Sequence, residues 1–111
     1  MDQVSNYRQI IKALIMRYAQ IKPAKGDIEI ETIFDEANDH YEMMYTGWDG
    51  HWRIHGPVLH LDIRNSKVWI QHDGIAGGIA EELVEAGIPR HAIVLGFQPP
   101  KARPYTEYAA A

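Results

Sequence analysis

From residue 27 to residue 73 the sequence keeps a period of two, broken at three places by residues that turn the chain. Ile28, Ile30, Thr32 and Phe34 alternate with Glu29, Glu31, Ile33 and Asp35; Tyr41, Met43 and Tyr45 alternate with Glu42, Met44 and Thr46. Successive side chains of a strand point to opposite faces, so this alternation specifies half-buried strands with one apolar face. A turn about Ala37 and Asn38 sets Phe34 against Tyr41, Thr32 against Met43 and Ile30 against Tyr45, and matched apolar faces fix register. Asp49 and Gly50 form a type I′ hairpin signal, which pairs Tyr45 with Ile54 and Gly47 with Trp52. Asn65 and Ser66 close a third hairpin with Leu61 opposite Ile70 and Ile63 opposite Val68. Between the last two turns the inward set changes parity, from Trp52, Ile54 and Val58 to Leu59, Leu61 and Ile63. That change predicts a bulge or bend at residues 56–58, where Pro57 cannot donate to a ladder.

Helical spacing flanks the strands. Tyr7, Ile10, Ile11, Leu14, Ile15, Tyr18 and Ile21 form one apolar stripe, with Asp2 or Ser5 to cap its start and Pro23 and Gly26 to end it. After the fourth strand, Asp73 is the expected N-cap of a helix over residues 75–86, with Ile75, Ile79 and Leu83 inward and Gly87 and Pro89 as its stop. Residues 93–97 (IVLGF) read as a short fifth strand, and the proline-rich tail is expected to pack through Tyr105 and Tyr108. The predicted fold is α+β: an N-terminal helix, a four-stranded antiparallel meander, a second helix and a short fifth strand. A chain of 111 residues makes one domain, 1–111.

Composition narrows the function classes. With no cysteine, disulfides, thiolate metal sites and cysteine nucleophiles are excluded. No apolar run approaches the roughly 20 residues of a membrane helix, and the N-terminus lacks a secretory pattern, so a cytoplasmic protein without membrane association is expected. The net charge is −4 and the basic residues are dispersed. Phosphate neutralisation dominates DNA affinity, so direct nucleic-acid binding by the chain alone is not expected.

His60, Asp62, His72 and Asp73 crowd one short span and invite a metal or acid–base site. In the hairpin register above, His60 and His72 point to opposite faces, and a slip that joined them would expose Leu61, Ile63, Val68 and Ile70. Each such side chain contributes roughly 1.5–3 kcal/mol when buried, so the apolar face decides. Accordingly no catalytic residue, cofactor or metal ligand is assigned; a metal-binding protein or hydrolase using His60, Asp62 and His72 is the alternative. Gly74, Gly77 and Gly78 lack the spacing of phosphate-binding loops. The outer sheet face carries Ile33, Met44, Trp48, Arg53 and Trp69 among carboxylates, a mixture expected of an interface with a partner or a second copy.

Several strings together resemble one family: YRQII at residues 7–11, GDIEIETIFD at 26–35, DHY at 39–41 and RIHGPVLHLDIRNSKVWIQHDG at 53–74. GIAEELVEAGIP at 78–89 and RPYTEYA at 103–109 continue the series. These resemble the XisI-like proteins, the fdxN-element excision controlling factors of cyanobacteria. A glycine-bearing turn is expected where this chain has Asn65 and Ser66. The resemblance implies a non-enzymatic accessory factor acting by protein contact, with an XisH-like, nuclease-fold protein as partner and a homodimer as a further option. It carries over no active-site residues.

Overall fold

In the computed structural model, which describes residues 2–111, the period-two segments form one sheet. Its strands are β1 (Asp27–Asp35), β2 (His40–Asp49), β3 (Trp52–Arg64), β4 (Lys67–Asp73) and β5 (Ile93–Leu95), ordered β1-β2-β3-β4-β5. The first four run antiparallel as a meander, whereas β5 returns parallel to β4. Two helices, α1 (Gln3–Tyr18) and α2 (Ala80–Glu85), complete the α+β fold and share its core.

The β1–β2 register is the expected one, with Phe34 opposite Tyr41, Thr32 opposite Met43 and Ile30 opposite Tyr45. Tyr41, Met43, Leu59, Leu61, Val68 and Ile70 are buried beneath Tyr7, Ile11, Leu14 and Ile15 of α1. The parity change on β3 is also present: Met43 pairs with Leu59 but Met44 with Pro57, which leaves Val58 as the extra residue of a bulge. At the third hairpin, Asn65 (φ 51°) and Ser66 (φ 60°) both adopt the left-handed conformation a type I′ turn demands. The turn forms without glycine, and Leu61 faces Ile70 while Ile63 faces Val68.

Three local expectations are corrected. The second hairpin turns at Gly50 and His51, with Asp49 opposite Trp52, Gly47 opposite Ile54 and Tyr45 opposite Gly56. Gly50 has φ 61° and His51 is not among the positive-φ residues, the signature of a type II′ turn with glycine first; Asp49 stays in the strand. The second helix begins at Ala80, not residue 75, because Gly77 (φ 84°) and Gly78 (φ 78°) lie outside helical space. Asp73 therefore organises the intervening loop: its Oδ1 accepts from Ile75 N at 3.1 Å and its Oδ2 from Ile79 N at 2.9 Å. In the tail, Tyr108 packs on the core but Tyr105 is 91% exposed.

Asp2 caps α1, accepting from Ser5 N at 2.8 Å. Further along, Arg8 clamps α1 to the β1–β2 turn through a two-pronged pair with Asp39, Nε to Oδ1 at 2.8 Å and Nη2 to Oδ2 at 3.1 Å. Tyr41 Oη donates to the same carboxylate at 2.8 Å. The Arg8 hydrogen bond holds the Asp39 carboxyl below its ordinary value of 3.8, against the opposing effect of burial. A depressed carboxylate pKa adds stability that is complete above the ordinary value and lost as pH falls through the lower folded value. Asp39→Asn keeps a residue that tolerates the left-handed backbone (φ 55°) and removes the charge. We expect it to lower the urea midpoint at pH 7, with the gap from wild type shrinking below pH 3.8.

Candidate functional site

The parity set by the Val58 bulge turns His60, Asp62 and Arg64 to the sheet face opposite the helices. There β2 brings His40 directly across from Asp62 and Glu42 across from His60. Asp62 is 1% exposed and is the one buried charged side chain among the described residues. Its Oδ1 accepts from His40 Nδ1 at 2.7 Å and from His60 Nε2 at 2.8 Å. Its Oδ2 faces Gln71 Nε2 at 3.1 Å and Arg64 Nη2 at 3.4 Å. A buried carboxylate without such partners would be strongly destabilising, and here both oxygens are used.

The electrostatics follow from this packing. Burial alone would raise the Asp62 pKa, yet hydrogen bonds from His40 and Gln71 together with the His60 charge hold it below 3.8. The hydrogen bond to Asp62 lifts the His40 imidazole above its ordinary 6.5, opposed more weakly by desolvation; Asp35 adds to the rise and Arg64 subtracts. On the far side of the second ring, His60 Nδ1 lies 3.7 Å from Glu42 Oε1. The two imidazole rings meet edge-on, with centroids 6.2 Å apart.

His60 and Asp62 thus come together as neighbours on one face, but the third member is His40 in place of His72. A second bulge accounts for the exchange. His60 pairs directly with His72 and Leu61 with Ile70, so Gln71 is the extra residue on β4 and the two histidines share the outer face, which corrects the expectation that they point to opposite faces. Gln71 reaches Asp62, while His72 is exposed with its Nε2 beside Gly74. The same bulge reverses parity for Asp73, which pairs with Leu59 and serves the loop before α2. Strand parity alone places His40 on this face; its position opposite Asp62 also requires the hairpin to turn at Gly50 and His51, one residue later than the Asp49–Gly50 signal.

The outer-face apolar residues do not form one patch. Trp48 is 50% exposed, with the Arg53 guanidinium 5.3 Å from its ring centroid; Trp52, at the tip of the same hairpin, is 77% exposed but pairs with Asp49 and so stands on the other face. Met44 is half-buried between Glu31 and Pro57. Exposed Ile33 pairs with Glu42, and so sits in the His60 row about 20 Å along the strand from Trp48. Trp69 belongs to a covered region: Arg64 and Arg103 stack on it at 5.7 and 5.1 Å, and its Nε1 is buried without an acceptor among the described residues. Arg103 is fixed there by bonds to the Gln98 and Gly96 carbonyls, and the chain beyond it bridges to β5 at Ala109. The C-terminal segment therefore covers the outer face at β4 and β5 and leaves β1 to β3 open. No described helix is long and apolar enough to cross a membrane.

Comparison with known proteins adds independent information. A family model described as XisI protein matches residues 1–110. The chain is 40% identical to a XisI-like protein from Anabaena variabilis ATCC 29413, whose crystal structure superposes with a TM-score of 0.91 over 97% of this chain and 99% of that one. It is 36% identical to the fdxN element excision controlling factor XisI of the same organism, with a TM-score of 0.86 over 99% of this chain and 100% of that one. No curated protein matches significantly.

A raised histidine pKa adds stability that is complete below the ordinary 6.5 and lost as pH rises through the higher folded value. In chelator-treated protein, an NMR titration should show His40 titrating above 6.5 in the wild type. Asp62→Asn should bring it back to the range of a free imidazole. A His40 titration unmoved by Asp62→Asn would contradict the assigned contact.

Proposed function

The chain belongs to the XisI family, and from that premise we propose that it is a non-enzymatic accessory factor in DNA-element excision, acting by contact with an XisH-like protein. The observation that carries this reading is the pair of exposed tryptophans at the β2–β3 hairpin: Trp48, 50% exposed with Arg53 beside it on the outer face, and Trp52, 77% exposed on the face that Ile54 shares. Tryptophan and arginine dominate binding hot spots because they bury much area with few rotatable bonds. A monomer core has no need of them here, since the apolar face of the sheet is already closed by α1 and α2.

Charge supports a protein partner. Asp27, Glu29, Glu31 and Glu42 share the open face with Arg53, and the chain carries a net charge of −4. Such a face repels a phosphate backbone and suits a partner with basic complementarity. The Asp62 cluster lies on an open sheet face, and its hydrogen-bond partners are His40, His60, Arg64 and Gln71, with no hydroxyl nucleophile among them.

Co-expression with an XisH-like protein, followed by calorimetry on the purified pair, tests the reading. The double substitution Trp48→Ala, Trp52→Ala should weaken the complex at least tenfold, about 1.4 kcal/mol, with unchanged circular dichroism. Undiminished affinity would remove the hairpin from the interface. Self-association of the chain alone, abolished by the same pair, would assign the surface to a homodimer.

A further inference from the structure

We propose that His40 Nδ1, His60 Nε2 and Asp62 Oδ1 form a binding site for one divalent transition-metal ion of the zinc class, with its fourth position open to solvent. Asp62 Oδ1 is 2.7 Å from His40 Nδ1 and 2.8 Å from His60 Nε2, and the three residues each bring a ligand atom within 4.8 Å of the others, on adjacent strands whose pairing holds their backbones fixed. Two imidazoles and one carboxylate with an open position is a donor set zinc uses in catalytic and solvent-exposed sites. Ligand atoms around a tetrahedral zinc stand roughly 3.3 Å apart, given metal–ligand bonds near 2.0 Å. The two nitrogens now sit 2.7 and 2.8 Å from Asp62 Oδ1, so the required spreading is well within one rotamer well.

Two of the three ligands have a polar group on the side away from the common point. Glu42 Oε1 stands 3.7 Å from His60 Nδ1, close enough for a small side-chain shift to let it accept Nδ1–H once an ion takes Nε2. A carboxylate behind a metal-ligating imidazole both orients the ring and raises its basicity. Gln71 and Arg64 engage Asp62 Oδ2 and so aim Oδ1 at the histidines. His40, with a side chain 47% exposed, gives an ion a path from solvent.

The proton inventory points the same way. Without an ion, both rings place an N–H on the single oxygen Asp62 Oδ1. A divalent cation at the common point replaces the two inward N–H protons together and leaves His60 Nδ1–H for Glu42. It also balances local charge, because Asp62, Glu42 and Asp35 outnumber the lone guanidinium of Arg64 around the cluster. Neutral imidazole and carboxylate ligands suit zinc, cobalt and nickel better than calcium or magnesium, which take all-oxygen shells.

The site is independent of the partner surface at Trp48, so either proposal can fail alone. The test uses the full chain, stripped with a chelator and titrated with Zn²⁺ alone, then with Co²⁺ as a spectroscopic probe. The wild type should bind a single equivalent with proton release, and Co²⁺ should give the intense visible bands of four-coordination. His40→Ala and Asp62→Asn should each weaken Zn²⁺ at least tenfold, Glu42→Gln by about tenfold, and His72→Ala should leave it unchanged. If Asp62→Asn fails to fold, the half-exposed His40→Ala decides. The proposal is overturned by wild-type protein that takes up no stoichiometric Zn²⁺. It is equally overturned by binding that survives His40→Ala or disappears with His72→Ala.

Discussion

The extra residue at Val58 is the constraint on which the sheet depends. A strand of thirteen residues, Trp52–Arg64, must turn half-buried Ile54 to the helix side near one end and bury Leu59, Leu61 and Ile63 near the other. Strict alternation cannot do both, because residues 54 and 59 differ in parity. One unpaired residue reverses the parity and keeps both ends on the core face. The gain is the full burial of Leu59 and Leu61 and near-complete burial of Ile63, each worth roughly 1.5–3 kcal/mol. Pro57, which has no N–H to lose from the ladder, sits next to the bulge where a donor is dispensable.

Everything on the opposite face follows from that reversal. It turns His60, Asp62 and Arg64 outward, where β2 supplies His40 and Glu42. A second bulge at Gln71 then lends its amide to Asp62 and sends Asp73 back toward the helix side. The helices are tied to the other face by Arg8 with Asp39, and to each other by Arg17 and Tyr18 with Glu82. The C-terminal segment crosses to the outer face only at β4 and β5, with Arg103 over Trp69, and reaches the helix side where Tyr108 bonds to Glu81 of α2. The molecule thus has one closed face, one covered corner, and one open area bearing both a polar cluster and a tryptophan-bearing hairpin.

Much of this was legible in the sequence because the period-two rule acts residue by residue. It yielded the β1–β2 register, the turn at Asn65 and Ser66, and the bulge at residues 56–58. The family strings were legible as well, and the XisI family match bears them out. The errors arose where a local signal competed with register. Asp49 and Gly50 make a good type I′ pair, but a type II′ turn needs only one positive φ and uses Gly50 first. Gly77 and Gly78 fit a helical count, yet their positive φ delays α2 to Ala80. The Gln71 bulge left no mark in the apolar pattern, since it falls after the last buried residue of β4, and His40 falls opposite Asp62 only with the turn at Gly50 and His51.

The central claim is that the reversal at Val58 brings His40 of β2 and Asp62 of β3 into direct energetic contact. A double-mutant cycle of His40→Ala and Asp62→Asn, by urea unfolding of chelator-treated protein at pH 6, reads that contact without reference to any partner. Because the His40 side chain is 47% exposed, solvent screening limits the expected coupling to about 0.5–1 kcal/mol. Additive single substitutions, with coupling indistinguishable from zero, would contradict the account.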